Sequence, residues 1–287
     1  MLGRKISANL LEKGHQVAWL SRGGKSEMEG IRIYDWKPAS NWVDHNAIEW
    51  ADAVINLAGE SIGETPWNEN GKKLILSSRL DAVHTLTEAL KKRIKPIQSF
   101  VGVSGVGIYG PSTKPKSEED KVGSDFPAMV ANEWELAYNQ ISDSSVLKLT
   151  IIRLAAVLST EGGALPKIMS PIKFGLGASL GSGLQPLNWI HIDDASEIFC
   201  QALAWEGIYN ASAPEIINNQ NATKAIAKVM RRPLIFSSIP AFVLKLILGD
   251  RSQLVLTGNI TNTQKLSKTG FTFKFPKFTP AISDLVE

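Results

Sequence analysis

The start of the chain reads as helix, turn, strand and polar tip, in that order. Leu2-Gly3-Arg4 runs into an amphipathic stretch at 5–13, then Gly14-His15, then the run Gln16-Val17-Ala18-Trp19-Leu20, then Ser21-Arg22. That succession is the second half of a βαβ unit of the dinucleotide-binding kind, with Gly3 at the helix start, where backbone must pack closely. The first half of such a unit is a strand and a Gly-rich turn, expected ahead of residue 2. The fragment therefore points to a nucleotide cofactor while lacking the turn that would hold its phosphates.

The rest of the chain alternates in the same way. Apolar runs predict strands at 16–20, 31–34, 52–57, 98–104, 148–153 and 207–210. Helical patterns fall at 4–13, 71–92, 125–142 and 193–205. The strand runs, such as Ala53-Val54-Ile55-Asn56-Leu57 and Ser99-Phe100-Val101-Gly102-Val103, lack polar alternation. They suit strands buried on both faces of a parallel sheet covered by helices. The expected fold class is α/β, a doubly wound parallel Rossmann sheet with a smaller C-terminal lobe. After about residue 155 Gly and Pro rise and the pattern loosens. This places a Rossmann domain at 1–158 and a substrate lobe at 159–287, with some segments returning to the sheet. Within the lobe, helices are expected near 223–230 and at 241–248.

Charge and cysteine usage narrow the function classes. There are 31 basic against 28 acidic side chains, for a net charge of +3, too weak to argue for nucleic acid or an anionic membrane. The lone Cys200 sits in an apolar helical pattern and reads as a buried thiol. The four histidines are scattered without metal-ligand spacing, so no metal is expected. No signal peptide or spanning run is visible, and the cytoplasm is the expected compartment.

Four segments are candidates for chemistry. Ser21-Arg22 follows a strand at the place where such folds meet the adenosine ribose; an Arg there favours a 2′-phosphate, hence NADP, and also suits a solvated tip. Asn56-Leu57-Ala58-Gly59 ends a strand in small residues that let a cofactor lie against backbone, or simply turn the chain. In Ser104-Gly-Val-Gly-Ile-Tyr109-Gly110, Ser104 could orient a substrate oxygen and Tyr109 could do acid–base work; a Gly-rich turn with a packed Tyr explains the segment equally well. Asp193 and Asp194 suit a helix N-terminus better than a catalytic pair, and His191, between apolar neighbours, suits a hydrogen-bonded structural role. Trp189, Pro186 and the Phe-rich tail could line a pocket or pack.

Taken in order, these landmarks resemble the extended short-chain dehydrogenase/reductase superfamily. More narrowly the chain is similar to the epimerase family related to nucleoside-diphosphate-sugar epimerases that carries a distinctive C-terminal domain. The matching stretches include Gly14-His15-Gln-Val…Leu20-Ser-Arg22, Val54-Ile-Asn-Leu-Ala-Gly-Glu-Ser61, Ser78-Arg79, Val106-Gly-Ile-Tyr-Gly110, Trp134-Glu135, Arg153…Val157-Leu158, Leu180-Gly-Ser-Gly183 and Trp189-Ile-His-Ile-Asp193. In the tail they are Pro240-Ala…Leu248-Gly249, Gly270-Phe271 and Phe275-Pro276, which place the family-specific domain at about 235–285. The resemblance implies NADP (NADPH) as cofactor, held by Gly3, Ser21, Arg22, Leu57, Ala58, Arg79 and Val157. It implies a small-molecule substrate that the sequence does not name, and it admits a helix-paired homodimer without requiring one.

Two departures from the superfamily pattern matter. Of its Gly-x-x-Gly-x-x-Gly turn only the last glycine is present, as Gly3. The first strand is central in a 3-2-1-4-5 sheet, so its loss leaves two strands without a partner. An internal Met start is the expected cause, with poor stability or reordered strands and weakened cofactor binding as the expected result. The superfamily's Tyr-x-x-x-Lys positions read Val130 and Trp134, neither of which can deliver a proton; Tyr138 lies a helical turn too late and has no Lys after it. Three readings stay open: an NADP-dependent oxidoreductase or sugar-nucleotide epimerase (an isomerase) with a non-standard site, a non-catalytic NADP-binding sensor or regulatory module, and a chain that binds no cofactor because the turn is absent.

Overall fold

The computed structural model describes residues 1–23, 30–141 and 145–286. Helix α1 spans Leu2–Glu12 and stops at Gly14, whose φ is +83°. The Gly14 amide donates to the Leu11 carbonyl at 2.9 Å and the His15 amide to that of Leu10 at 3.0 Å. This Schellman closure needs a left-handed residue, which glycine supplies without steric cost. The chain then turns into β1 (Val17–Ser21), which pairs in parallel with β2 (Ile31–Lys37). The short β3 (Trp42–Val43) closes that sheet against β2 in antiparallel fashion.

Helix α2 (His45–Trp50), capped by the Asp44 carboxylate on the Asn46 amide, leads into β4 (Ala53–Asn56). A second sheet begins there. Strand β4 pairs with β5 (Ser99–Gly105) and β5 with β6 (Leu149–Leu154), all parallel. A two-stranded parallel ribbon of β7 (Ala156–Leu158) and β8 (Trp189–His191) follows. Strand β9 (Gly207–Ala211) then returns to pair with β6. Helices α3 (Glu69–Leu90) and α4 (Phe126–Tyr138) pack together, as do α1 and α6 (Ile192–Ala202). The α1–α6 contact carries three polar rungs, one helical turn apart along α1: Lys5 to Asp193 at 2.8 Å, Asn9 to Ser196 at 3.0 Å and Lys13 to Glu197 at 2.6 Å.

The two sheets are separate. One runs β1-β2-β3 and the other β9-β6-β5-β4, so among the described residues β1 and β4 each pair with one neighbouring strand. The expectation of reordered strands is corrected here: each strand keeps its neighbours, and the sheet is divided where a strand between β1 and β4 would be. Buried residues of β5, β6, α4 and α6 fill the main core, among them Phe100, Ile152, Tyr138 and Phe199, and Leu266 and Phe271 from the tail join it. A second core gathers α5 (Ala164–Lys173), α7 (Asn219–Val229) and a terminal helix (Phe278–Val286) around Trp189. Between the last two, α8 spans Ala241–Leu248. Trp189 therefore packs, with its Nε1–H on the Glu215 carbonyl at 3.1 Å and its ring edge-on to Phe278.

The sequence pattern misjudges three details. Helix α4 ends at Tyr138, short of the expected end at 142, a position outside the described residues. Helix α5 was hidden by Gly162-Gly163 before it and by Pro171 inside it. The cap of α6 is His191, whose Nδ1 accepts the Asp193 amide at 3.1 Å. The two aspartates sit in the first turn, where the helix dipole favours them, and make other bonds.

Candidate functional site

Gly3, Leu57, Val157 and Gly162-Gly163 meet around the N-terminal end of α1. A β-carbon at Gly3 would lie 3.5 Å from the Leu57 Cδ1, so this glycine lets the helix start close to the loop after β4. The Met1 side chain faces Gly162 and Gly163, and a β-carbon at Gly163 would lie 3.4 Å from the Val157 carbonyl. The first turn of α1 has neither an acidic residue nor a side-chain cap. Its amides and dipole thus favour an anion.

The loop after β4 is held from several sides. Asn56 is buried; its Oδ1 accepts the Ala58 amide at 3.1 Å and its Nδ2 donates to the Tyr138 hydroxyl at 3.1 Å. Arg79, on α3, donates from Nη1 to the carbonyls of Glu60 and Ile75, at 2.9 and 2.7 Å. Its guanidinium lies over the Trp134 ring, 4.8 Å from the centroid. Burial lowers the Arg79 pKa to about 10, against smaller opposing effects of Tyr138 and Glu60. Arg79 thus supports the turn that carries Leu57 and Ala58. At the other side, Ser21 ends β1 and Arg22 is exposed just beyond it.

Ser104 and Tyr109 come together in a second, closed group at the ends of β5 and β6. Ser104 Oγ donates to Glu135 Oε1 at 2.7 Å. Arg153 grips both oxygens of the same carboxylate, from Nε at 2.9 Å and Nη2 at 2.8 Å. Its Nη1 donates to the Tyr109 hydroxyl at 2.8 Å, and that hydroxyl donates to Asn210 Oδ1 at 2.7 Å. All five side chains are buried. Burial opposes the charge on Arg153, yet the bonds and field of Glu135 outweigh it and hold its pKa above the ordinary value. Burial raises the Tyr109 pKa despite Arg153, so this hydroxyl keeps its proton at neutral pH. The sequence signal for Glu135 and Arg153 was only their place in the family motifs; nothing local marks a Glu on α4 as the partner of an Arg on β6.

The positions at which the sequence reading looked for an acid–base pair, Val130 and Trp134, hold packing residues. Val130 is buried against Trp67 and Ile75. Trp134 stacks on Tyr138 with centroids 6.0 Å apart. The Tyr138 ring lies so close to β5 that a β-carbon at Gly102 would meet it at 2.5 Å. Its hydroxyl is fully enclosed, and burial drives its pKa far up, with Asn56 only partly offsetting this. Elsewhere, His191, Asp193 and Asp284 bring ligand-type atoms within 4.8 Å of one another. Asp193 there is already paired with Lys5 and Lys274, each at 2.8 Å, which a divalent ion would have to displace. Cys200 is a buried thiol whose pKa burial raises to about 11. Among the described residues no helix is long and apolar enough to cross a membrane.

The model of the NAD dependent epimerase/dehydratase family matches residues 1–218. The chain belongs to that family. A second model, a domain of unknown function (DUF1731), matches residues 239–285. The mouse epimerase family protein SDR39U1 is 31% identical over 293 residues, covering 99% of this chain and 96% of its own. The epimerase family protein YfhF of Bacillus subtilis is 32% identical, covering 99% and 94%. Among solved structures, human SDR39U1 (isoform 2) crystallised with NADPH superposes with a TM-score of 0.86 at 28% identity, over 99% of this chain and 95% of that one. The α/β fold with its parallel strands and covering helices is that of this family.

Proposed function

We propose that this chain is an NADP(H)-binding protein of the epimerase/dehydratase type. One observation carries the reading: the uncapped start of α1 converges with Leu57 and Val157, and β1 ends at an exposed arginine. Those residues fit the cofactor. Arg22 pairs a 2′-phosphate, Leu57 and Ala58 line its path with small or apolar side chains, and the first turn of α1 offers amides to an anion. When bound, the nicotinamide supplies or accepts a hydride. Ser21 and Arg22 select the cofactor, and Arg79 and Asn56 fix the loop against which it lies. The human relative's NADPH complex supports the choice of NADP over NAD.

A second reading, a non-catalytic sensor or regulatory module, is favoured by a separate observation. Val130 and Trp134 replace the proton-transfer pair, Tyr138 is sealed, and Ser104 and Tyr109 are both engaged in the Glu135–Arg153 group. The enzyme reading then needs an acid–base group outside these residues.

The deciding experiment is calorimetric titration with NADPH and NADH, on this chain and on Arg22→Asp. NADPH preferred by the native chain, with that preference falling by roughly tenfold or more in the variant, is the expected result. Binding of neither cofactor, or an unchanged preference in the variant, would overturn the assignment. With cofactor bound, change in nicotinamide absorbance on adding nucleotide sugars separates an enzyme from a sensor.

A further inference from the structure

Helix α8 is an apolar helix that the fold leaves almost uncovered. Of its eight residues only Leu244 is buried. Phe242, Leu246 and Ile247 are 72%, 86% and 68% exposed. The chain just before α8 runs beside the segment after α5. Ser238 and Ile239 pair in parallel with Ser179 and Leu180, and a β-carbon at Gly175 would lie 3.6 Å from the Ile235 Cδ1. That junction adds Phe174, Leu176, Ile235 and Phe236, each more than half exposed. Large apolar side chains therefore stand in water along two adjoining segments and the helix that follows. A folded surface rarely leaves such a patch uncovered unless it meets something.

The charges around the patch select its partner. The stretches 162–181 and 216–249 hold seven Lys or Arg residues and no Asp or Glu. Lys167 is paired with Glu64 at 3.1 Å. The other six, Lys173, Lys224, Lys228, Arg231, Arg232 and Lys245, are exposed and make no ion pair among the described residues. Asp250, the next acid after α8, is taken by Lys72 at 3.0 Å. The net charge of +3 conceals this asymmetry, because outside the two stretches acidic side chains outnumber basic ones. We propose that this face docks on an anionic lipid surface, with Phe242, Leu246 and Ile247 entering the headgroup layer and the cations meeting lipid phosphates. Helix α8 is far too short to span a bilayer, so the contact is peripheral. A second copy fits poorly, since a twofold contact would set the same unpaired cations face to face. A protein groove fits poorly too. The apolar side chains project from three stretches of chain, whereas a groove-bound ligand presents one helix face or one strand.

The test is cosedimentation of the chain with vesicles of phosphatidylcholine alone and of phosphatidylcholine with about 30% phosphatidylglycerol. Partition onto the anionic vesicles should be stronger by roughly tenfold or more, and should weaken several-fold in about 0.5 M salt. Leu246→Gln with Ile247→Gln, and separately Arg232→Glu with Lys245→Glu, should each lower it by roughly tenfold or more. All four side chains are exposed, so both double variants should unfold in urea at the native midpoint. Leu246→Cys, labelled with an environment-sensitive NBD dye, reports where the contact lies; Cys200 is buried and escapes the label. The dye emission should move to the blue on anionic vesicles. Vesicle binding without that shift would mean that another face docks, and would overturn the proposal. So would equal partition onto both kinds of vesicle, or unchanged binding in either double variant. Self-association of the native chain that Leu246→Gln with Ile247→Gln abolishes would also overturn it, by showing that a second copy covers the face.

Discussion

The β1–β4 cleft and the group around Glu135 and Arg153 lie in the same α/β fold and solve the problem of buried polar groups in opposite ways. In the closed group Ser104, Tyr109, Glu135, Arg153 and Asn210 are all buried and all engaged. At the cleft between β1 and β4 the lining side chains are mostly apolar. The closed group tolerates no loss, because every member is another member's partner. The cleft wall, which already borders open space, tolerates truncation better.

The largest effect should come from breaking the closed group. Glu135→Ala strands a buried guanidinium and should cost roughly 3–5 kcal/mol in urea unfolding. The double variant Glu135→Leu with Arg153→Met should recover most of that, because it removes the charge along with its partner. A double variant as unstable as the single one would mean that shape, more than charge, holds this end of the sheet.

Apolar truncation should then separate the two regions. Phe100 is fully buried in the main core, and Phe100→Ala should cost about 3–5 kcal/mol. Leu20 is half-buried and lines the cleft. Leu20→Ala enlarges a space that already exists, so its cost should fall below the roughly 2 kcal/mol at the low end for buried leucines. Equal costs would mean that the cleft wall is packed as tightly as the core.

How far the sequence could be read differs between these regions for a physical reason. Strands at 17–21, 53–56, 99–105 and 149–154 were legible because strands buried on both faces are continuous apolar runs. The Ser104–Glu135–Arg153–Tyr109–Asn210 group was not legible: its members come from four separate segments, and sequence spacing carries no trace of such contacts. The α6 cap was misread because Asp-Asp is the stronger local signal. The aspartates are drawn off by the tail, where Asp194 accepts the amides of Lys274 and Phe275 at 2.7 and 2.9 Å.

The smallest effect concerns that cap and runs with pH. His191 Nδ1 accepts the Asp193 amide, so in the neutral ring the proton sits on Nε2, 3.3 Å from Asp284 Oδ2. Protonating Nδ1 removes the acceptor. Burial, the largest influence, lowers the His191 pKa below 6.5, while Asp193, Asp284 and Asp194 pull it back and Lys274 adds to the lowering. Between the lowered native value and 6.5 the unfolded chain binds more protons, so stability rises with pH across that window and falls as pH drops below 6.5. Asp194 is shifted the other way: burial raises its pKa above 3.8 despite the two amides, so its contribution favours the folded state as pH falls toward 3.8. The two contributions oppose each other below neutrality. His191→Asn keeps a side-chain acceptor at the cap position and removes the titrating ring. Urea unfolding at pH 7.5 and 5.5 should show a loss on acidification in the native chain that shrinks or reverses in His191→Asn. An unchanged pH slope would mean that Asp284 holds the protonated ring as well as the cap holds the neutral one.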